Sequence, residues 1–143
     1  MKPEDIARAI VSIRGKTSRV AMHKIAFLTD YEFYLRRLLS SIALSKFGYK
    51  VRPKTESGLN YYNAKLGPFS TRLQNAIERL IESGELEEVF EDGRFLYAPG
   101  ELKEHRLKGY FLEVMKKYIG LSDKRLVSLA LKRSRYFFHE PKR

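Results

Sequence analysis

The stretch from Leu59 to Tyr97 constrains this chain most, and its centre is Gly67-Pro68-Phe69-Ser70. Before that centre, Leu59-Asn60-Tyr61-Tyr62-Asn63-Ala64-Lys65 is rich in aromatic residues and suits an extended backbone. After it, Leu73, Ala76, Ile77, Leu80 and Ile81 recur at helical spacing, with Thr71, Asn75, Glu78 and Glu82 on the opposite side. Gly67 and Pro68 are expected to break the extended segment, Ser70 to cap the helix 71–83, and Gly84 to end it.

The next signal is a hairpin. Glu88-Val89-Phe90-Glu91 and Arg94-Phe95-Leu96-Tyr97 flank Asp92-Gly93, a pair suited to a type I′ turn, which needs positive φ at both central residues. Strand, turn, helix and hairpin in this order predict an α+β, mostly helical fold. It reads as a winged helix-turn-helix with additional N- and C-terminal helices. The hairpin is the wing, and 71–83 takes the place of the recognition helix.

The 143 residues suit one domain, with a core over 20–98 and a C-terminal helical extension over 101–138. There is no cysteine, so disulfides and thiolate metal sites are excluded. No apolar run approaches membrane-spanning length, and Met1-Lys2-Pro3-Glu4-Asp5 is unlike a signal peptide. A cytoplasmic protein without a cofactor is expected.

The net charge is +11, which favours a polyanionic partner through counterion release. Its distribution is uneven. Residues 83–104 carry 2 basic and 7 acidic side chains, whereas 105–143 carry 11 and 3. Glu85, Glu87, Glu88, Glu91 and Asp92 would repel a phosphate backbone, so a wing that grips DNA in the usual way is not expected.

In chain order, Pro3 to Arg14 reads as a helix with an apolar stripe at Ile6, Ala9, Ile10 and Ile13. Gly15-Lys16-Thr17-Ser18 reads as a loop ending in a cap, Ser18. The run 19–47 is either one bent helix or two, with Thr29-Asp30 as the cap of a second. It is apolar on more than one face, which predicts burial on both sides or against a second subunit, and a homodimer is expected. Lys50, Arg52 and Lys54 alternate as on a strand with one charged face. Glu101 to Ile119 and a run after Ser122-Asp123 read as the last two helices. The tail from Lys132 to Phe138 mixes cations with aromatic rings, and the rings are expected to pack on the body.

No catalytic constellation is present. His23, His105 and His139 lack ligand spacing, and Glu101-Leu102-Lys103-Glu104-His105 has glutamate where a zinc-protease helix needs its first histidine. The chain is not expected to be an enzyme. For DNA, Thr71, Arg72, Asn75 and Arg79 on the helix are the candidate base-reading residues, since Arg and Asn read guanine and adenine edges. Lys50, Arg52, Lys54, Lys132, Arg133 and Arg135 are the candidate phosphate contacts. The same helix charges equally make a solvated face of paired ions.

Three groups of residues carry a family resemblance. They are Lys24-Ile25-Ala26-Phe27-Leu28, then Tyr62-Asn63-Ala64-Lys65-Leu66-Gly67-Pro68-Phe69-Ser70, then Leu80-Ile81-Glu82-Ser83-Gly84-Glu85-Leu86. This order resembles the Panacea antitoxin-like domains and related prokaryotic winged-helix regulators with a Gly-Pro-aromatic-Ser turn. Phe111-Leu112-Glu113-Val114-Met115 and Gly120-Leu121-Ser122-Asp123-Lys124-Arg125-Leu126 look like that family's closing helices, so the likeness spans 20–135 with gaps. It implies a winged-helix fold and either DNA-binding transcription regulation on double-stranded DNA or antitoxin-type binding of a protein partner. The protein-binding alternative would act through the helix 71–83 and the acidic hairpin.

Overall fold

The computed structural model describes residues 1–45 and 55–138. Among them are five helices and five strands: α1 (Pro3–Arg14), β1 (Thr17–Ser18), α2 (Arg19–Ser45), β2 (Tyr62–Ala64), β3 (Gly67–Phe69), α3 (Thr71–Glu82), β4 (Leu86–Glu91), β5 (Arg94–Pro99), α4 (Tyr110–Ile119) and α5 (Asp123–Phe138). The fold is α+β and mostly helical, as expected. The strand anticipated through Lys50, Arg52 and Lys54 lies outside the described residues.

Helix α1 starts as its sequence dictates, with Pro3 in the first turn and Glu4 and Asp5 near the positive helix end. Ile6 and Ile10 are fully buried, but Ile13 is 45% exposed and leaves the stripe. The 15–18 segment is more than a loop. Thr17 pairs with Tyr97 and Ser18 with Leu96, which makes β1 the outer strand of an antiparallel sheet ordered β1-β5-β4. Two residues suffice because the long β5 has an edge left open by β4 and can accept them.

The run 19–45 is a single helix. Ser18 caps it by accepting the Ala21 N–H at 3.1 Å. Thr29 and Asp30 do not cap a second helix. They lie inside α2, where the Thr29 hydroxyl donates to the Ile25 carbonyl and Asp30 accepts from the segment beyond residue 54. Residues 21–31 of α2 are buried on both sides, where α1, β3, α4 and α5 pack against the helix, but the expected burial does not extend to its later turns, where Leu35 is 39% and Leu39 68% exposed.

The Gly-Pro bend is itself a strand. Gly67, Pro68 and Phe69 pair with Ala64, Asn63 and Tyr62, so β2 and β3 form a second hairpin closed by Lys65-Leu66. Gly67 takes φ +102° there, and a Cβ on it would stand 3.3 Å from the Leu131 side chain. Both the backbone conformation and the close approach require glycine. Helix α3 follows with Ser70 as its cap. It ends at Gly84, where the N–H groups of Gly84 and Glu85 return to the carbonyls of Ile81 and Leu80.

The expected hairpin around Asp92-Gly93 is present in register, from Leu86↔Pro99 to Glu91↔Arg94, with positive φ at Asp92 (49°) and Gly93 (77°). Helix α4 begins at Tyr110, not at Glu101. Two carboxylates hold the preceding segment out of a helix: Glu85 accepts the Lys103 N–H and Asp5 accepts the Arg106 N–H. Ser122 then caps α5. The expected tail from Lys132 is the end of this helix. No described helix is long and apolar enough to cross a membrane.

Candidate nucleic-acid interface

Two buried residues near the start of α2 set the position of α3. Lys24, 2% exposed, donates from Nζ to the Pro68 carbonyl at 2.7 Å. His23 is fully buried and stacks on Phe69 at 3.9 Å between ring centroids. Its Nδ1 accepts the Ser70 N–H at 3.1 Å, so the ring proton sits on Nε2 and is donated to Gln74 Oε1 at 2.9 Å. The Gln74 amide passes the chain on to the Tyr97 hydroxyl at 3.1 Å, which also accepts from Arg19. Burial drives the His23 pKa down to about 4 and that of Lys24 down to about 8. His23 is thus a neutral core residue, and one network ties α2, β3, α3 and β5 together.

The outward face of α3 carries Thr71, Arg72, Asn75, Glu78, Arg79 and Glu82, all exposed. Two of its cations are engaged. Arg72 donates to the Gly58 carbonyl at 2.6 Å, and Arg79 Nε donates to Glu4 on α1 at 2.8 Å. The first turns of α3 therefore present a Thr-Arg-Asn corner. Its last turns present two glutamates and a neutralised arginine.

The β4–β5 hairpin is acidic, but less so than the composition implies. Glu85 is not part of it. This residue is 5% exposed and makes a two-point ion pair with Arg8 of α1, at 2.8 and 2.9 Å. The pair holds the Glu85 carboxyl below the usual carboxylate range, against the opposing effect of burial. Glu91 is paired with Lys16. Glu87, Glu88 and Asp92 remain exposed on the hairpin.

The C-terminal cations divide. Lys132 and Arg135 are exposed, but Arg133 turns inward. It donates to the Tyr118 hydroxyl at 2.7 Å and lies over the Tyr31 and Tyr118 rings at 5.7 and 5.6 Å. Phe137 and Phe138 pack on Phe27, with Phe137 also meeting Tyr34 and Tyr61. Tyr136 is 72% exposed, so the expected packing holds for two of the three rings. Helix α5 packs on α2, β2 and β3, whereas α3 packs on α1 and β4. The candidate contacts thus sit on two helices that share one hydrophobic core but pack against different neighbours. Lys50, Arg52 and Lys54 lie outside the described residues.

Sequence reasoning missed two polar clusters. Asp30, fully buried, accepts from the Ser57 N–H at 2.9 Å and from the Tyr61 hydroxyl at 2.6 Å, and also from the Ser57 hydroxyl. Burial pushes its pKa up, and the hydrogen bonds from Ser57 and Tyr61 oppose that rise. The other cluster is Arg8 with Asp5 and Glu85. Apart from the i,i+3 pair Asp5–Arg8, their contacts have no sequence signal, because they join residues distant along the chain. Among the described residues no group of three or more His, Cys, Asp or Glu side chains is placed to hold a metal ion.

No family model, curated protein or solved structure matches this chain.

Proposed function

We propose that this chain is a winged-helix protein that binds duplex DNA as a transcriptional regulator. One observation carries the reading: β1 pairs with β5, so that α1, β1, α2, α3, β4 and β5 form a helical bundle closed by a three-stranded sheet with a projecting hairpin. In our reading α3 takes the place of a recognition helix in this arrangement and the β4–β5 hairpin that of a wing. The contact of Lys24 with the Pro68 carbonyl, between two of the segments that carry the Panacea-like resemblance, supports the reading by anchoring the strand that leads into α3.

In this reading the Thr71-Arg72-Asn75 corner enters the major groove, and Lys132 and Arg135 supply phosphate contacts to an extended duplex. Arg72 releases the Gly58 carbonyl to reach a base, at a cost of about 1 kcal/mol for an exposed hydrogen bond. The test is duplex binding by fluorescence anisotropy across a salt series. Arg72→Ala/Asn75→Ala is expected to weaken binding, and Lys132→Gln/Arg135→Gln to make the salt dependence shallower by about one unit per lost phosphate contact. Absence of duplex binding at low salt overturns the proposal.

A second reading has its own support. The Arg79–Glu4 pair and the exposed acids of the wing favour an antitoxin-like or adaptor role, with α3 and the hairpin docking on a basic protein. Failure of duplex binding together with a stable complex with a copurifying protein leaves this reading in place. A homodimer belongs to either reading and is tested by light scattering.

A further inference from the structure

An apolar groove of about 460 Å³ runs between the two hairpins and the first turns of α5, away from the outward face of α3. Its walls are Val20 of α2, Leu66 of the β2–β3 turn, Phe95 of the wing and Val127 of α5. These are not buried core residues: Leu66 is 51% exposed and Phe95 63%. The patch extends at both ends. Phe90, also 63% exposed, meets Phe95 with ring centroids 5.0 Å apart, and Leu131, 41% exposed, follows Val127 by one helical turn. So contiguous an exposed apolar surface on a strongly basic protein marks a site of interaction.

The charge around the groove identifies what it takes. Arg19, Arg94 and Lys124 line it, and its one carboxylate, Asp123, is already satisfied. Asp123 accepts from Arg14 at 2.8 Å, from the Ser18 hydroxyl at 2.5 Å and from Arg94 at 3.2 Å. Arg14 and Arg94 thus neutralise the carboxylate, which leaves Lys124 and Arg19, the latter donating Nε to the Tyr97 hydroxyl, as the remaining cations at the groove. We propose that this groove docks a peptide segment of another protein that carries large apolar side chains flanked by Asp or Glu. The apolar side chains fill the space between Leu66, Phe95 and Val127, and the carboxylates meet Lys124 and Arg19. Phosphates of DNA match the cations but not the apolar walls. The wing of a second copy, with Phe90 beside Glu91 and Asp92, is acidic and aromatic, yet its own Phe95 forms a wall of the groove and is used up in such an exchange.

The test is panning of a random twelve-residue phage-displayed library on the wild-type protein, with depletion on Leu66→Asp. Enriched peptides are then synthesised and measured by anisotropy, and their footprint is read from amide shifts. The expected peptides combine two or more large apolar residues with acidic ones, bind at least tenfold more weakly to Leu66→Asp, and weaken with added salt. Lys124→Glu is expected to reduce their affinity by several-fold, and amide shifts to cluster at Val20, Leu66, Phe95 and Val127. Both substituted positions are exposed, and a melting temperature matching wild type establishes that each variant is folded. Peptides without acidic enrichment, binding indifferent to both variants, displacement by duplex DNA, or a dimer that dissociates in Leu66→Asp each overturn the proposal.

Discussion

Lys24 and Pro68, 44 residues apart in the chain, are joined by a 2.7 Å hydrogen bond from a buried ammonium to a backbone carbonyl. Beside it, His23 stacks on Phe69 and accepts from Ser70. These contacts fix the strand that delivers the chain into α3.

His23 is neutral in the fold down to about pH 4, whereas in the unfolded chain it takes a proton near 6.5. The unfolded chain therefore holds more protons between these values, and stability falls as pH drops through that window, by up to about 3 kcal/mol. The raised pKa of Asp30 acts in the opposite direction. Comparing wild type with His23→Asn isolates the histidine. The asparagine amide still accepts from Ser70, so the variant is expected to fold and to lose part of the acid sensitivity in urea unfolding at pH 4.5 and 7.

Gly67→Ala is expected to destabilise by about 1–3 kcal/mol, since alanine is strained at φ +102° and its Cβ meets Leu131 at 3.3 Å. Adding Leu131→Ala relieves the contact but not the backbone strain. Partial recovery in thermal melts is the expected result, and full recovery would show that the contact alone matters.

Arg8→Met leaves Glu85 and Asp5 as buried carboxylates without their cation, at a cost of about 3 kcal/mol at neutral pH. Because the folded Glu85 pKa is lowered, the stability that Arg8 supplies is present above the unfolded carboxyl pKa and is lost as pH falls. Arg8→Met/Glu85→Gln removes one of the stranded charges and is expected to recover part of the loss. Denaturant midpoints of wild type and the two variants decide it.

Phe137→Ala removes the ring that joins the end of α5 to Phe27, Tyr34 and Tyr61. Amide exchange is expected to speed up in the last turns of α5 while α3 keeps its protection, with a stability loss of about 1–3 kcal/mol. The same packing means that removing the tail after Lys132 would damage the fold. Exposed-charge substitutions are the cleaner probe of Lys132 and Arg135.

Local signals located most of the elements. The bounds of α1, the cap at Ser70, the end at Gly84 and the Asp92-Gly93 hairpin depend on near neighbours, and near neighbours are what a sequence displays. The misplaced start of α4 has a different origin. Residues 101–109 carry ordinary helix-forming side chains, but carboxylates from α1 and from the α3–β4 junction hold Lys103 and Arg106 in another conformation. Strand β1 was hidden for a similar reason, since two residues become a strand only when β5 is there to receive them.

The candidate site divides along the same line. Its exposed residues on α3 followed from helical period, which fixes which side chains face outward. Their partners did not. Arg72 binds Gly58, Arg79 binds Glu4, and Arg133 sits over Tyr31 and Tyr118. A cation's charge is written in the sequence, but whether it faces solvent depends on which distant group lies within about 3 Å of it.

By itself, then, the sequence determined the amphipathic helices, the tight turns and the basic excess, because these come from covalent geometry, short-range hydrogen bonding and composition. Tertiary structure alone decided which charges were neutralised, that the Gly-Pro bend became a strand clasped by His23 and Lys24, and that two hairpins and α5 left an apolar groove ringed by cations. Those outcomes depend on burial and on contacts between residues far apart in the chain, which exist only once the helices have packed.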